Sequence, residues 1–134
     1  MTADITTICQ DIFERVPHAL ACAVVDLTSG MLIASHHEAS QLPPGFLDTV
    51  AAAAVDLVRG RTVRRVEDVL AKSRGQPVRE TVEELFLGTA GANHFMKVVK
   101  EKQALLVLIT PPTTNQGLGW SVVRGSLAEV AAAL

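Results

Sequence analysis

The sequence predicts an α/β (α+β) fold, a three-layer α/β/α sandwich built around a five-stranded antiparallel sheet. Helical and extended patterns follow one another in the order helix, two strands, helix, three strands, helix. Strands joined by short turns run antiparallel to their neighbours. Two of the strands are apolar along their whole length, so both faces of the sheet must be covered. Three helical regions covering both faces make a sandwich the simplest arrangement.

The composition limits the class of protein. The 134 residues suit a single domain over 1–134. Hydrophobic residues make up 49% and charged residues 19%, below the roughly 25% usual for soluble domains. The low charge favours a surface that a partner covers, although alanine inflates the apolar count. A net charge of −2 disfavours a nucleic-acid partner. No signal peptide or 18-residue apolar run is present, so we expect a cytoplasmic chain without a membrane span.

A helix is expected first. Its apolar side chains recur every three or four residues and form one stripe. Thr2 or Asp4 is suited to cap its start, and Pro17 ends it. The stripe consists of Ile5, Ile8, Cys9, Ile12, Phe13 and Val16.

A β-hairpin follows the first helix. Residues 19–27 form an apolar run typical of a buried strand, residues 26–30 supply a turn, and residues 31–35 form the return strand. Cys9 and Cys22 both lie in apolar surroundings. Free buried thiols are therefore favoured over a disulfide between them.

The second helical region begins at Phe46, after a Pro-Pro-Gly loop at 41–45. Its apolar positions share one face and include Phe46, Val50 and Leu57. Gly60 interrupts the pattern, so the region is either one long helix bent at Gly60 or two helices. A loop is expected over 72–79.

Three strands and a helix complete the prediction. The strands cover 81–87, 94–99 and 103–110, and the last of them is apolar enough to be central. A loop over 113–119 and a helix over 120–134 follow.

Two stretches carry a resemblance to a known family. Residues 16–35 read VPHALACAVVDLTSGMLIAS, with a proline after the helix, an apolar strand ending in Asp, and a glycine turn. Residues 105–134 read LLVLITPPTTNQGLGWSVVRGSLAEVAAAL, with an apolar last strand, a short loop and a helix. Together they resemble the Roadblock/dynein light chain family, which has a profilin-like fold. The Gly60 break and the long loop after it depart from that pattern.

The resemblance implies a dimeric, non-enzymatic scaffold, whose bacterial relatives in several cases bind and regulate a Ras-like small GTPase. It also implies that an edge strand pairs with its twin and that the second helix lies beside its own twin. Glu83 and Glu84 either oppose such pairing by like-charge repulsion or protect an exposed edge. The candidate dimer interface comprises Phe46, Val50, Leu57, Glu83, Leu85, Phe86 and Leu87.

The most distinct charged segment of the chain is a run of basic residues. Arg59, Arg61, Arg64 and Arg65 lie close together, with Glu67 and Asp68 balancing part of their charge. The ordinary interpretation is a solvated helix face. The functional interpretation is a surface for an acidic partner, such as a signalling protein or a nucleotide-bound GTPase.

No catalytic motif emerges from the remaining polar residues. His36, His37 and Glu38 resemble a metal-binding cluster, but adjacent strand residues point to opposite faces, which disfavours a shared ion. Gly117 and Gly119 precede the last helix, yet they lack the rest of a dinucleotide fingerprint and suit a flexible loop. We therefore expect no cofactor and no enzymatic activity.

Two functions remain open from the sequence. The first is a homodimeric regulator or scaffold acting on a small GTPase or another signalling protein. The second is a small-molecule sensor, because a sheet with helices on both faces is able to enclose an apolar pocket. The lack of polar groups within the apolar runs disfavours the sensor.

Overall fold

The structure is a computed structural model that describes residues 3–38 and 42–134. Five strands form one sheet in the order β2-β1-β5-β4-β3, and every neighbouring pair is antiparallel. The strands are β1 (Ala21–Asp26), β2 (Leu32–His37), β3 (Glu84–Gly88), β4 (Asn93–Val99) and β5 (Ala104–Thr110). The helices are α1 (Ile5–Glu14), α2 (Phe46–Arg59), α3 (Arg61–Arg74), α4 (Gln116–Gly125) and α5 (Leu127–Ala133).

The two faces of the sheet carry separate cores, which confirms the predicted sandwich. On one face, α1, α4 and α5 pack against the sheet through residues such as Ile12, Val123 and Val130. On the other face, α2 packs through Leu47, Ala51, Ala54 and Val58. Strand β5 is buried along its whole length, because it lies at the centre of the sheet beneath helices on both sides.

Helix α1 follows the predicted stripe and buries Ile8, Cys9 and Ile12. Asp4 occupies the N-cap position with an extended backbone, but its side chain accepts no hydrogen bond from the helix. Of the two predicted caps, Thr2 lies outside the described residues.

Gly60 separates two helices, which decides between the alternatives left by the sequence. Its backbone is extended, with φ −72° and ψ 175°, and it joins the last residue of α2 directly to the first of α3. A Cβ atom at this position would collide with the carbonyl oxygen of Asp56. Helix α3 runs on to Arg74 and ends at Gly75, whose φ of 67° suits glycine. The loop predicted over 72–79 was therefore wrong at its start, because α3 continues to Arg74. The loop predicted before α2 includes Gln41, which lies outside the described residues.

The C-terminal region differs most from its prediction. Two helices replace the single helix expected over 120–134, and the first begins at Gln116, where the Asn115 side chain accepts a hydrogen bond from the N–H of Leu118 at 3.0 Å. The expected loop over 113–119 was accordingly wrong for Gly117 and Gly119, both of which lie inside α4. Gly119 is buried against the ring of Phe95, where a Cβ would come within 3.0 Å of three ring carbons.

The strand boundaries shift by a few residues. Strand β3 starts at Glu84 rather than residue 81, because Thr81 is bonded to a helix side chain instead of to the sheet. Strand β2 extends past the expected end to His37. Its register with β1 shifts between Val24 and Val25, which leaves Ile33 as the extra residue of a bulge.

Candidate functional site

One side of α2 carries an apolar stripe at the margin of the core. The helix buries Leu47 and Val58 against the sheet, whereas Phe46 and Val50 are half-buried and Leu57 is 44% exposed. The sequence pattern grouped the apolar positions of α2 on one face. In the structure the stripe of Phe46, Val50 and Leu57 lies about a quarter turn around the helix axis from the buried residues. The structure therefore leaves the three predicted interface residues of α2 together and partly open to solvent.

The outer edge of β3 is one of the two free edges of the sheet, and β2 forms the other. The N–H of Val98 donates to the carbonyl of Glu83 at 2.9 Å, and that of Thr89 donates to Ala92 at 2.9 Å. Hydrogen-bonded and non-hydrogen-bonded pairs alternate along an antiparallel ladder. The backbone groups of Glu84, Phe86 and Gly88 consequently point away from β4. They are free to pair with another strand.

The side chains of β3 divide between the two faces. Leu85 is half-buried beside the core under α2, and Leu87, on the same face, is 41% exposed. Phe86 faces α4 and packs edge-on against Phe95, with ring centroids 5.2 Å apart. Leu87 thus belongs to the open surface, whereas Phe86 is part of the core opposite it.

The charge of Glu84 is neutralised within the chain. The Arg124 guanidinium donates two hydrogen bonds to its carboxylate, each 2.7 Å long, and Lys97 lies 3.5 Å away. The hydrogen bonds from Arg124, with help from the charge of Lys97, hold the pKa of Glu84 below its usual value. Arg124 also lies over the ring of Trp120, 4.8 Å from its centroid. Among the described residues of β3 and the segment before it, Glu83 therefore is the carboxylate at this edge without an ion pair to the rest of 3–38 and 42–134.

An apolar groove runs between the stripe on α2 and the β3 edge. Its volume is about 520 Å³, and its walls include Phe46, Val50, Leu87 and His94. His94 is buried, and its Nδ1 atom lies 3.1 Å from the carbonyl oxygen of Leu87. Of the predicted interface residues, Phe46, Val50 and Leu87 line this groove. The other four do not line it, and they are Leu57, Glu83, Leu85 and Phe86.

A basic cleft lies at the junction of α2 and α3. Arg59, at the end of α2, is mostly buried, and its guanidinium lies 3.4 Å from the Gln103 side-chain oxygen and 3.7 Å from the Glu80 carboxylate. Arg61 and Arg64, from the first turn of α3, line the same cleft. The fourth predicted arginine, Arg65, is exposed and does not line it. The structure thus brings three of the four arginines together and separates the fourth.

Glu67 is a structural residue that sequence reasoning missed. It was interpreted as a surface charge balancing the arginines, but only 4% of it is exposed. Its carboxylate accepts hydrogen bonds from the backbone and the hydroxyl of Thr81. Those bonds, the backbone one first, hold its pKa below the usual value despite the opposing effect of burial. The signal was present in the spacing, since Val63, Glu67 and Leu70 recur every three or four residues on the inner side of α3.

The other polar candidates are dispersed. His36 packs edge-on against Phe13 at 4.7 Å, whereas His37 faces the loop around Pro43 on the opposite side of the sheet. Cys9 and Cys22 are buried free thiols in contact with each other, and the hydrogen bond that the Cys22 thiol donates to Cys9, together with burial, raises the pKa of Cys22. Within 3–38 and 42–134, no helix has both the length and the apolar character needed to cross a membrane.

Three solved structures similar to this chain show which fold it has. Myxococcus xanthus MglB superposes with a TM-score of 0.68 at 20% identity, covering 96% of this chain and 92% of that one. An MglB described as having a tetrameric arrangement gives 0.72 at 18% identity, covering 96% and 86%. A Roadblock/LC7 domain from Streptomyces avermitilis gives 0.68 at 17% identity, covering 97% of each chain. No protein-family model and no curated protein sequence matches the chain.

Proposed function

We propose that this chain, which has the Roadblock/LC7 fold, is a non-enzymatic homodimeric scaffold that regulates or tethers a small GTPase or another signalling protein. The observation that carries the proposal is the apolar groove between Phe46 and Val50 of α2 and Leu87 of β3, which lies beside a strand edge with free backbone groups. Solvent-exposed strand edges and apolar patches of this kind favour aggregation unless another chain covers them. A second copy of the same chain is the occupant we propose.

The geometry of β3 supports pairing between two copies. In an antiparallel arrangement centred on Phe86, Glu84 would lie opposite Gly88 of the second copy, and Glu83 opposite Thr89. Neither glutamate then faces its own twin, and Glu84 is already neutralised by Arg124. The repulsion between like charges that the sequence suggested is therefore weak in this arrangement. Self-association also agrees with the tetrameric arrangement of one similar MglB.

The helix stripe completes the proposed interface. When two β3 strands pair about a twofold axis, the surfaces beside them approach each other on the same face of the extended sheet. Phe46, Val50 and Leu57 border that face, so the second copy would bury them together with Leu85 and Leu87. The groove between α2 and β3 would then be filled by protein side chains.

Light scattering on the full chain tests the dimer. We expect a mass of twice 14.3 kDa for the wild type. We expect Leu57→Asp and Leu87→Asp to be monomeric, because each places a charge in an apolar interface. Met31→Asp is the matched control, since Met31 is 69% exposed beside the opposite edge strand, and it should remain dimeric. A monomeric wild type, or dimers in all four proteins, would contradict the proposed interface.

The GTPase partner requires its own test. Small GTPases from the same genome, loaded separately with GDP and GTP analogues, would be measured against the immobilised dimer by interferometry. The proposal expects binding that depends on the nucleotide state, as a regulator that senses that state requires. A dimer that binds none of them in either state would reject the GTPase role and leave the scaffold without this partner.

The apolar groove also supports a second candidate function, a small-molecule sensor. Its volume of about 520 Å³ is within the range of small-ligand sites. A thermal-shift screen of common metabolites separates the two functions, because a ligand at a hundredfold excess over its Kd stabilises a protein by about 2.7 kcal/mol. Stabilisation of a wild type that is monomeric would favour the sensor.

A further inference from the structure

Arg59 is the arginine of the basic cleft whose side chain is held in place by its neighbours. Its side chain is 14% exposed, and its Nη1 atom is buried without a hydrogen-bond partner among the described protein groups. Gln103 and Glu80, which hold the guanidinium, have φ values of 49° and 54°. Non-glycine residues rarely adopt this conformation, and it persists where the surrounding contacts impose it. The guanidinium is therefore held in place, and its Nη1 atom still has hydrogen-bond donors available for a ligand.

Three further arginines surround this fixed group. Arg64 lines both parts of the cleft, Arg61 lines the wider part and Arg79 the narrower one. None of the three forms an ion pair with the other residues of 3–38 and 42–134. They are exposed and supply further positive charge to the cleft beside the guanidinium of Arg59.

The carboxylates of the cleft are mostly committed to other groups. Glu67 accepts the two hydrogen bonds from Thr81, and Glu80 is paired with Arg59. Asp56 lines the wider part of the cleft beside Arg61. Four arginines thus meet three carboxylates, and two of those carboxylates are already bonded within the chain.

We propose that this cleft binds an oxyanion of the phosphate class. The two parts of the cleft have volumes of about 690 and 300 Å³ and adjoin each other at Arg59 and Arg64, and each is large enough for a small anionic ligand. Guanidinium groups bind phosphate oxygens through paired, charge-assisted hydrogen bonds. Because the donors line a concave cleft with one of them buried, a compact anion suits the site better than a flat acidic protein surface.

The inference goes beyond the proposed scaffold, because neither dimerisation nor a GTPase is needed for the anion to bind. It also divides the partner-binding surface predicted from the four arginines. Arg59, Arg61 and Arg64 belong to the anion site, whereas Arg65 projects from the open side of α3.

Calorimetric titration of the full chain with inorganic pyrophosphate, at constant ionic strength, tests the site. We expect wild-type binding to weaken by about tenfold or more in Arg64→Ala, which removes a charged donor from the cleft. Arg65→Ala is the matched control, since it removes the same charge one residue away, and its affinity should stay within about twofold of the wild type. Both arginines are exposed, so circular dichroism and light scattering should show unchanged folding and mass.

The source of the phosphate group is resolved by two further titrations. A nucleoside diphosphate that binds as tightly as pyrophosphate would show that the site recognises the phosphate groups alone, and tighter binding would identify a nucleotide as the ligand. Absence of pyrophosphate binding, or equal weakening in both variants, would overturn the proposal. Arg64-dependent binding of a glutamate-rich peptide without pyrophosphate binding would also overturn it, and would assign the cleft to an acidic protein partner.

Discussion

The carboxylate of Glu67 on α3 accepts hydrogen bonds from both the backbone N–H and the hydroxyl of Thr81, at 2.8 and 2.7 Å. Thr81 lies three residues before β3, so this contact attaches α3 to the segment that leads into the free edge strand. The remaining residues of α3 are half-buried or exposed. Glu67 is therefore the principal anchor of that helix and helps to position both the basic cleft and the β3 edge.

Replacement of Glu67 by alanine should destabilise the protein by about 1.5–3 kcal/mol, because it removes two charge-assisted hydrogen bonds between the buried carboxylate and Thr81. Urea unfolding at fixed protein concentration measures the loss. Asp68→Ala is the matched control on the exposed side of the same helix, and we expect it to change the stability by less than about 0.5 kcal/mol. Equal effects of the two substitutions would show that the Thr81 contact contributes little.

Acid should remove the contribution of Glu67 in a defined direction. The hydrogen bonds from Thr81 lower the pKa of Glu67 in the folded protein relative to the unfolded chain. A lowered folded-state pKa stabilises the protein above the unfolded value, about 4.3 for glutamate, and the stabilisation is lost as the pH falls through the folded value. The stability difference between wild type and Glu67→Gln should thus be largest near neutral pH and shrink below about pH 4.3. Unfolding titrations from pH 7 to 3 measure it, and a constant or growing difference would contradict the assignment.

The sequence predicted the layers of the fold well because periodicity reports which side of an element is buried. The stripe of α1 and the apolar run of β5 are cores in the structure, as expected. Local patterns do not report contacts between distant segments. The spacing of α3 indicated that Glu67 lies on its inner side, but no local pattern indicated its partner, because Thr81 lies 14 residues away. Gly119 looked like a loop residue because its role depends on Phe95, on a different element.

The candidate site was predicted by residue type more than by geometry. Phe46, Val50 and Leu87 lie beside one groove. Phe86 and Leu87 were predicted at the same interface, although strand alternation already places adjacent residues on opposite faces of the sheet. In the structure Phe86 packs against Phe95, and Leu87 lies on the other face. The arginines were grouped by proximity in the chain. The helical turn instead places Arg64 in the cleft and Arg65 outside it.

Gly119→Ala should destabilise the protein strongly. The added methyl group would overlap the buried Phe95 ring, and overpacking of a core typically costs about 1–3 kcal/mol or more. Gly125→Ala is the matched control in the same helix, because no atom beyond its chain neighbours and the backbone of its own helix lies within 4 Å of the position of its Cβ. It should stabilise the protein by up to about 1 kcal/mol through the better helix propensity of alanine. Thermal unfolding of both variants tests the contrast, and a neutral Gly119→Ala would show that Phe95 moves aside freely.

Phe86→Asp and Leu87→Asp should separate folding from dimerisation. Phe86 packs against Phe95 in the core beneath α4, so a charge there should cost about 3 kcal/mol or more in stability and weaken the dimer through loss of the edge strand. Leu87 is 41% exposed in one protomer, so Leu87→Asp should leave the isolated fold within about 1 kcal/mol of the wild type while abolishing the dimer.

Unfolding and light scattering on both variants, at matched concentrations, measure the two effects. The concentrations must match because the stability of a dimer depends on the protomer concentration. A folded, dimeric Leu87→Asp would place the interface elsewhere than the β3 edge. A stable monomeric Phe86→Asp would instead show that Phe86 contributes to the interface more than to the core.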